Sequence, residues 1–310
     1  MAVSRVAAID CGTNSIRLLI AEVSDGGLRD VHRETRIVRL GQGVDATGEF
    51  APEAVSRTKA ALVDYADLMR AHGAERVRMV ATSAARDVTN RDVFFAMTAD
   101  VLGTVAEVIS GEEEAALSFR GAVGELDSAG APFVVVDLGG GSTEIVLGSD
   151  SVTACYSADI GCVRLTERCL HSDPPTPQEV AAARRVVRER LDAALSVVPV
   201  EGAQTWVGLA GTMTTLSALA HNMTTYDAAA IHLSRVSGSD LWDVCDRLIG
   251  MTRSQRAALA PMHEGRADVI GGGAIVVQEL ARELRGRAGI DELTVSEHDI
   301  LDGIALSIAG

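Results

Sequence analysis

The chain has 310 residues, of which 47% are hydrophobic and 23% are charged, and its formal net charge is −15. This length and composition predict two folded domains with buried cores, exclude a disordered chain, and make nucleic acid an unfavourable partner. No run of about 18 apolar residues is present and no secretory signal pattern is visible, so we expect no membrane span and a cytoplasmic location.

Strand and helix patterns alternate along the whole chain. Short apolar runs predict strands at 6–9, 16–23, 31–40, 77–81, 105–109, 145–147, 206–209 and 293–296, and one after Pro132. Helix patterns are predicted at 52–71, from the cap Asn90 to 102, from the capping box at Ser110, at 176–198, from Gly211, from the end of an apolar-to-glycine turn at 269–273 to 285, and at 300–309. This interleaving predicts the α/β class.

One strand–turn–strand pattern occurs twice, at 6–23 and 133–148, about 127 residues apart. The first copy reads VAAIDCGTNS and the second reads VVVDLGGGSTE. In both, an apolar strand ends in an acid and is followed by glycine and small polar residues. The repetition suggests two related domains.

Both turns have the composition of an anion-binding loop. Glycine lets backbone N–H groups approach a phosphate closely, and hydroxyl and amide side chains add donors. The predicted phosphate-binding residues of the two loops are Gly12, Thr13, Asn14 and Ser15, and Gly139, Gly140, Gly141, Ser142 and Thr143. Asp10 and Asp137 precede the turns and are candidate ligands for Mg²⁺, the usual partner of phosphates.

A series of motifs then identifies a resemblance. The chain contains, in order, DCGTNSIRLLIAEV, ATSAARDVTN, EVISGEEEA, VVVDLGGGSTEIVLG, GLAGTMTTL, GRADVIGGGAIV and VSEHDILDGIAL. This series resembles the exopolyphosphatase / guanosine pentaphosphate phosphohydrolase family of the actin-like ATPase and sugar-kinase superfamily, over essentially the whole chain. Two departures are Cys11, where Leu or Ile is common, and the SEHDILDG segment, which replaces a more basic ending.

The resemblance implies an α/β fold of two actin-like (ribonuclease-H-like) domains with a central cleft that holds the active site. The first domain is expected to comprise residues 1–130 and 297–310, and the second residues 131–296. The resemblance also implies Mg²⁺, or another divalent cation, and a homodimer.

The resemblance further implies residue roles. Glu114, the last acid of GEEEA, matches the catalytic base, and Arg86 matches a phosphate-contacting arginine. Asp137 and Glu144 match the acids around the metal and the attacking water. Further candidate phosphate contacts are Arg17, Arg39, Gly211 and Thr212. For the glycines at 271–273, a nucleoside-side turn and close packing remain alternatives.

Cysteine and histidine patterns give no further site. The five cysteines form no CxxC pair and are expected to be small buried hydrophobes. The seven histidines show no metal-ligand spacing, and His298 is expected to be structural.

Four functions agree with these residues to different degrees. The leading hypothesis is an exopolyphosphatase, a phosphoanhydride hydrolase that uses Mg²⁺ and water to release orthophosphate from the end of inorganic polyphosphate. The alternative in the same fold is hydrolysis of guanosine pentaphosphate to the tetraphosphate. A non-catalytic polyphosphate or alarmone sensor and a kinase rank lower. The sequence leaves open the substrate preference, the chain length, the preferred metal and any regulation by alarmones.

Overall fold

The computed structural model describes residues 4–24 and 27–309. These residues form two compact units. The first contains the described residues up to Gly121 and those from Ile300 onwards, and the second contains Ala122–Asp299. The boundaries expected from the sequence, at 130/131 and 296/297, stay a prediction, and residues 1–3, 25, 26 and 310 of the expected first domain lie outside the described residues.

The first unit is built on a five-stranded sheet. Its strands are β1 (Ser4–Cys11), β2 (Ser15–Ser24), β3 (Gly27–Ile37), β4 (Arg76–Ala81) and β5 (Glu107–Val108). Its helices are α1 (Val44–Thr47), α2 (Pro52–Ala71), α3 (Ser83–Asp87), α4 (Arg91–Leu102) and α5 (Gly111–Val123), the last two residues of which belong to the second unit. The chain returns to the first unit for α13 (Ile300–Ser307).

The second unit is built on a six-stranded sheet. Its strands are β6 (Phe133–Leu138), β7 (Thr143–Gly148), β8 (Val152–Ala158), β9 (Thr205–Leu209), β10 (Ser234–Ser237) and β11 (Glu292–Val295). Its helices are α6 (Cys162–Cys169), α7 (Pro177–Val197), α8 (Ala210–Ala220), α9 (Ala228–Ile231), α10 (Gly238–Gly250), α11 (Arg253–Ala257) and α12 (Ile270–Ala288). Among the described residues, no helix of either unit is long and apolar enough to cross a membrane.

The two sheets share one strand order. The first runs β3-β2-β1-β4-β5, and the second contains β8-β7-β6-β9-β11 with β10 added at the edge. In both, three antiparallel strands are followed by two parallel ones. The predicted α/β class is confirmed, and the repeated hairpin proves to be part of a repeated sheet.

The central strands are covered on both faces. In β1, the side chains of Ala7 and Ile9 belong to one hydrophobic cluster, whereas Val6 and Ala8 belong to another. Because successive side chains of a strand point to opposite faces, a strand covered on both sides reads as a continuous apolar run. This explains why β1 and β6 are the clearest strands in the sequence.

Several elements of the second unit were absent from the sequence-based prediction. They are β8, α6, α9, β10, α10 and α11. One predicted element is wrong: the turn predicted at 269–273 extends no further than Val269, because α12 already begins at Ile270. A Cβ on Gly272 would lie 2.8 Å from the Cys162 carbonyl oxygen, and one on Gly273 would lie 2.8 Å from Thr212. These glycines therefore allow close packing of α12 against α6 and α8, which favours the packing alternative.

A capping box begins α7. Glu179 accepts hydrogen bonds from the Thr176 backbone N–H at 2.7 Å and from the N–H groups of His171 and Ser172 at 3.1 Å each, and its own N–H donates to Thr176 Oγ1. The Thr176 backbone N–H and the other donors lower the pKa of Glu179 to about 2. The carboxylate therefore stabilises the fold above its unfolded-state pKa, and this contribution is lost as the pH falls towards 2.

Replacing Glu179 by Gln is expected to lower the melting temperature at pH 7, because the amide accepts these hydrogen bonds less strongly. The difference from the unchanged protein should shrink as the pH is lowered from about 5, which thermal unfolding followed by circular dichroism can measure. The control is Glu189→Gln on an exposed position of the same helix. A pH-independent difference would contradict the assigned role of the carboxylate.

Candidate active-site loops

The first candidate loop joins β1 to β2. The Gly12 N–H donates to the Ser15 carbonyl at 2.9 Å and closes the turn. Asp10 lies directly opposite Arg17 across the strand pair. Arg17 donates to Asp10 Oδ2 from Nη2 at 2.7 Å and from Nε at 3.0 Å. The structure thus joins a predicted metal ligand and a predicted phosphate contact in one largely buried ion pair.

Residues 38–41 lie behind this loop. The Asn14 carbonyl accepts from the N–H groups of Val38 and Arg39, and the Thr13 carbonyl accepts from Gly41 at 2.8 Å. In a trans peptide, the C=O and the following N–H point in opposite directions. The N–H groups of Asn14 and Ser15 therefore point away from residues 38–41. Arg39, in the left-handed region at φ 51°, is held beside the loop by this contact.

The Thr13 hydroxyl is buried in the same loop. Its Oγ1 atom has no hydrogen-bond partner among residues 4–24 and 27–309. A buried polar atom without a partner is costly and is uncommon in folded proteins. An anion bound at the loop would supply an acceptor for this hydroxyl, which supports the predicted role of Thr13.

The second candidate loop joins β6 to β7 and repeats the turn of the first. The Gly139 N–H donates to the Ser142 carbonyl at 3.1 Å, the counterpart of the Gly12–Ser15 bond. Asp137 lies opposite Glu144, as Asp10 lies opposite Arg17. Glu144 therefore occupies the position equivalent to Arg17.

The two acids of this second hairpin lie close together on one side of the sheet. Directly opposed side chains in an antiparallel pair have Cβ atoms about 4.5–5.5 Å apart, and like charges there are unfavourable. Asp137 is 6% exposed and Glu144 is 1% exposed. Ser157 donates to Glu144 Oε1 at 2.7 Å. Two buried carboxylates in this arrangement form a donor set that suits a hard cation.

Residues of helix α6 donate hydrogen bonds to the backbone carbonyl groups of the second loop. The Gly139 carbonyl accepts from Cys162 N–H at 3.0 Å, and the Gly140 carbonyl accepts from Val163 N–H at 2.9 Å. Arg164 Nε donates to the Gly141 carbonyl at 2.7 Å. By the same peptide geometry, the N–H groups that follow these carbonyls point away from α6. They belong to Gly140, Gly141 and Ser142.

This contact depends on a close approach of two backbones. A Cβ on Gly161 would lie 2.4 Å from both the carbonyl carbon and the carbonyl oxygen of Gly140. Neither atom could move without changing the loop. Gly161 is therefore a determinant of the loop shape that the sequence-based prediction did not include, as is Arg164. An apolar residue and a glycine before an amphipathic segment were the signal for α6.

The hydroxyl of Thr143 is engaged within the unit. It donates to the Ile160 carbonyl and is completely buried. The contact gives Thr143 a structural role in joining β7 to the segment before α6, and it does not support the predicted phosphate contact of this side chain.

Glu114 and Arg86 are brought together in the first unit. Arg86 Nη1 donates to Glu114 Oε2 at 2.7 Å and to the Ile109 carbonyl at 3.1 Å. Glu114 is 8% exposed. Its neighbour Glu113 instead pairs with Arg78 and accepts from it at 2.6 Å. Of these two neighbouring acids of GEEEA, Glu114 is thus the one enclosed beside an arginine.

Gly211 and Thr212 lie in the first turn of α8. Thr212 is 4% exposed and packs against Gly273, so its predicted phosphate contact is not supported. A Cβ on Gly211 would lie 2.5 Å from the guanidinium carbon of Arg266. Arg266 also donates to Thr215 Oγ1 at 3.2 Å. Arg266 is a second charged residue that the sequence-based prediction did not include; its signal was a lone arginine before a glycine run.

All five cysteines are free. Cys11, Cys162 and Cys245 are buried as expected, whereas Cys155 and Cys169 are only partly buried, so the expectation is wrong for these two. Burial raises the pKa of the Cys162 thiol to about 11. A thiol that stays protonated is a poor nucleophile. Cys162 therefore contributes packing behind the second loop.

Two sheets of the same order, each with an acid–glycine hairpin, define a protein of the actin-like α/β class. The chain belongs to the Ppx/GppA phosphatase family, whose sequence pattern matches residues 19–308. The predicted family is therefore confirmed, and with it the reading of the chain as a phosphohydrolase.

Known relatives cover the whole chain. It is 80% identical to "Exopolyphosphatase 2" of Mycobacterium tuberculosis over the full length of both proteins. The crystal structure of an exopolyphosphatase-like protein shares 41% identity with a TM-score of 0.97, covering 100% of this chain and 98% of that one. The Aquifex aeolicus PPX-GPPA enzyme shares 32% identity with a TM-score of 0.82, covering 99% and 100%. These similarities agree with the predicted actin-like fold.

Proposed function

We propose that this chain is an exopolyphosphatase, which hydrolyses the terminal phosphoanhydride bond of inorganic polyphosphate and releases orthophosphate. The observation that carries this choice is the 80% identity to Exopolyphosphatase 2 over the full length of both chains. The two hairpin loops support it, because both direct backbone N–H groups away from the elements behind them.

The loops would hold the polyanion through their amides. Asn14 and Ser15 N–H in the first loop, and Gly140, Gly141 and Ser142 N–H in the second, supply donors without a fixed positive charge. Thr13 Oγ1 and the guanidinium groups of Arg17 and Arg39 are further proposed donors at the first loop. Arg17 would have to share its charge between Asp10 and the phosphate.

Glu114 is the proposed general base. Hydrolysis of a phosphoanhydride needs an oriented water, neutralisation of charge and in-line geometry. The Glu114 carboxylate would orient the attacking water and accept its proton. Arg86, which is fixed by Glu114 and by the Ile109 carbonyl, would donate to the phosphate undergoing attack. Enclosure of this pair keeps bulk water from weakening its electrostatic effect.

A divalent cation fits the acids of the second hairpin. Asp137 and Glu144 are buried, opposed across one strand pair, and offer the carboxylate oxygens that Mg²⁺ prefers. We propose these two residues as its protein ligands. When bound, the cation would neutralise phosphate charge. The proposed participation of Asp10 is less favoured, because Arg17 already neutralises its carboxylate.

Replacing Glu144 by Gln is expected to raise the Mg²⁺ concentration needed for half-maximal activity by at least about tenfold, since even outer partners of a metal site have effects of 10- to 100-fold. Titrating Mg²⁺ during steady-state phosphate release tests this. Asp159→Asn removes an exposed carboxylate from the same region and serves as the control. An unchanged Mg²⁺ requirement in Glu144→Gln would exclude Glu144 as a ligand.

The substrate is tested with the pure full-length chain and Mg²⁺. Polyphosphates of several lengths, guanosine pentaphosphate and ATP are supplied separately, and phosphate release is measured. We expect the highest kcat/KM for polyphosphate. Release from the guanosine compound alone would replace this function by the alternative that the family description also covers, and release from none would favour a binding protein.

Two further properties remain predictions from the family resemblance. We propose that the protein is a homodimer and is cytoplasmic. Light scattering of the purified chain would measure the mass of the assembly, and cell fractionation would locate the protein.

A further inference from the structure

Three side chains of the second unit that have no part in the proposed reaction lie close together. His232 Nε2 lies 2.8 Å from Glu125 Oε2, and His298 Nδ1 lies 3.8 Å from the same oxygen. The three ligand atoms lie within 4.8 Å of one another, and no other group of three His, Cys, Asp or Glu residues does so in the described part of the chain. Three segments that are distant in the sequence thus place three potential metal-ligand atoms close together.

The imidazole rings face each other at the surface. The ring centroids of His232 and His298 are 4.5 Å apart, with an interplanar angle of 38°. The side chain of His232 is 18% exposed, that of His298 is 32% exposed and that of Glu125 is 56% exposed. The three potential ligand side chains are therefore partly packed against the protein and partly accessible to solvent. Solvent access leaves room for water as a further ligand.

The spacing suits a small cation. In a tetrahedral site with metal–ligand bonds near 2.0–2.1 Å, ligand atoms lie about 3.3 Å apart. The observed separations of 2.8 and 3.8 Å fall on either side of this value. Two imidazole nitrogens and one carboxylate oxygen suit Zn²⁺ and its neighbours in the first transition row, whereas Mg²⁺ prefers oxygen ligands alone.

One contact sets the protonation of His232. The Glu297 backbone N–H donates to its Nδ1 at 3.2 Å, which places the ring proton on Nε2, facing Glu125. A metal on Nε2 displaces that proton and requires a proton on Nδ1, so the Glu297 contact must open. One long, neutral hydrogen bond is weak beside a metal–imidazole bond. Binding is therefore expected to move the ring proton of His232 from Nε2 to Nδ1, without net proton release from this residue, and to shift the segment around Glu297.

We propose that Glu125, His232 and His298 form a binding site for a divalent transition-metal ion of the Zn²⁺ type, separate from the Mg²⁺ site proposed at Asp137 and Glu144. The position in the chain suggests a regulatory or stabilising role. Glu125 lies four residues beyond Gly121, and His298 two residues before Ile300, the two points at which the chain passes between the units. The ion links both connecting segments.

The test uses the full-length protein after treatment with a chelator. It is dialysed against Zn²⁺ in the presence of excess Mg²⁺, and bound zinc is counted by elemental analysis. Co²⁺ is substituted in parallel, because its absorption spectrum reports nitrogen ligation. We expect one ion per chain and at least about tenfold weaker binding in His232→Gln and His298→Gln.

The matched control is His32→Gln. His32 also contacts a carboxylate, Glu34, at 3.1 Å, and stacks on a second histidine, His72, at 5.7 Å. This variant should bind zinc like the unchanged protein. If a histidine variant fails to fold by circular dichroism, Glu125→Gln, at an exposed position, replaces it. Absence of zinc binding, or equal binding in the control and in all cluster variants, would overturn the proposal.

Discussion

Replacing Glu114 by Gln is expected to lower kcat by roughly 10²–10⁴-fold, the usual loss when a general base is removed. The amide oxygen of Gln can still accept from Arg86, which now donates to Glu114 at 2.7 Å, so the fold should be retained. Substrate binding should change little, because the base acts on the water. Steady-state phosphate release, with binding measured separately by calorimetry, checks both parts.

The matched control is Glu113→Gln. Glu113 precedes Glu114 in α5 and is also paired with an arginine, Arg78, but its side chain is 45% exposed against 11% for Glu114. Its replacement should leave kcat within about twofold, since surface ion pairs contribute little. Near-normal turnover in Glu114→Gln, or equal losses in both variants, would reject Glu114 as the base.

Replacing Gly161 by Ala is the second change with a large expected effect. The new methyl group would lie 2.4 Å from the backbone of Gly140, so the second loop must move. Displacing a binding group by about 1 Å can reduce the rate about 10²-fold, and forced overpacking costs about 1–3 kcal/mol of stability. We expect a loss of kcat/KM of at least about 10²-fold with a lowered melting temperature.

Gly202→Ala provides the control, because a Cβ at Gly202 meets no atom within 4 Å. It should leave kcat/KM and the melting temperature nearly unchanged. Measuring both kcat/KM and the melting temperature of the two variants distinguishes displacement of the loop from general unfolding. Activity in a stable Gly161→Ala protein equal to that of the control would show that the loop shape does not determine turnover.

The two hairpins were predictable from the sequence because the residues that specify each of them are close together in the chain. An apolar run, an acid and a glycine turn lie within a dozen residues, and the chain contains this pattern twice. The pairing of Asp10 with Arg17 follows from the same local register, in which a short turn fixes the residues that face each other. The family motifs carried the remaining candidates, since spacing alone assigns no catalytic role.

Contacts between distant segments were not predictable in this way. Helix α6 is short, and its N-cap residue is Gly161, which provides no side-chain cap, so the helix lacks the usual start signal. The hydrogen bonds of Arg164 and the position of Arg266 depend on how helices pack after the sheet has formed. Glu125, His232 and His298 are spread over more than half of the chain. They therefore show no short ligand spacing from which a site could be predicted.

The repeated sheet order has an evolutionary consequence. If one ancestral unit was duplicated, Arg17 and Glu144 descend from a single position and have since acquired opposite charges. One copy of the hairpin now pairs its aspartate with an arginine, while in the other copy two buried acids oppose each other. A single change of charge at one position thus gives two hairpins with the same turn hydrogen bond different electrostatic character.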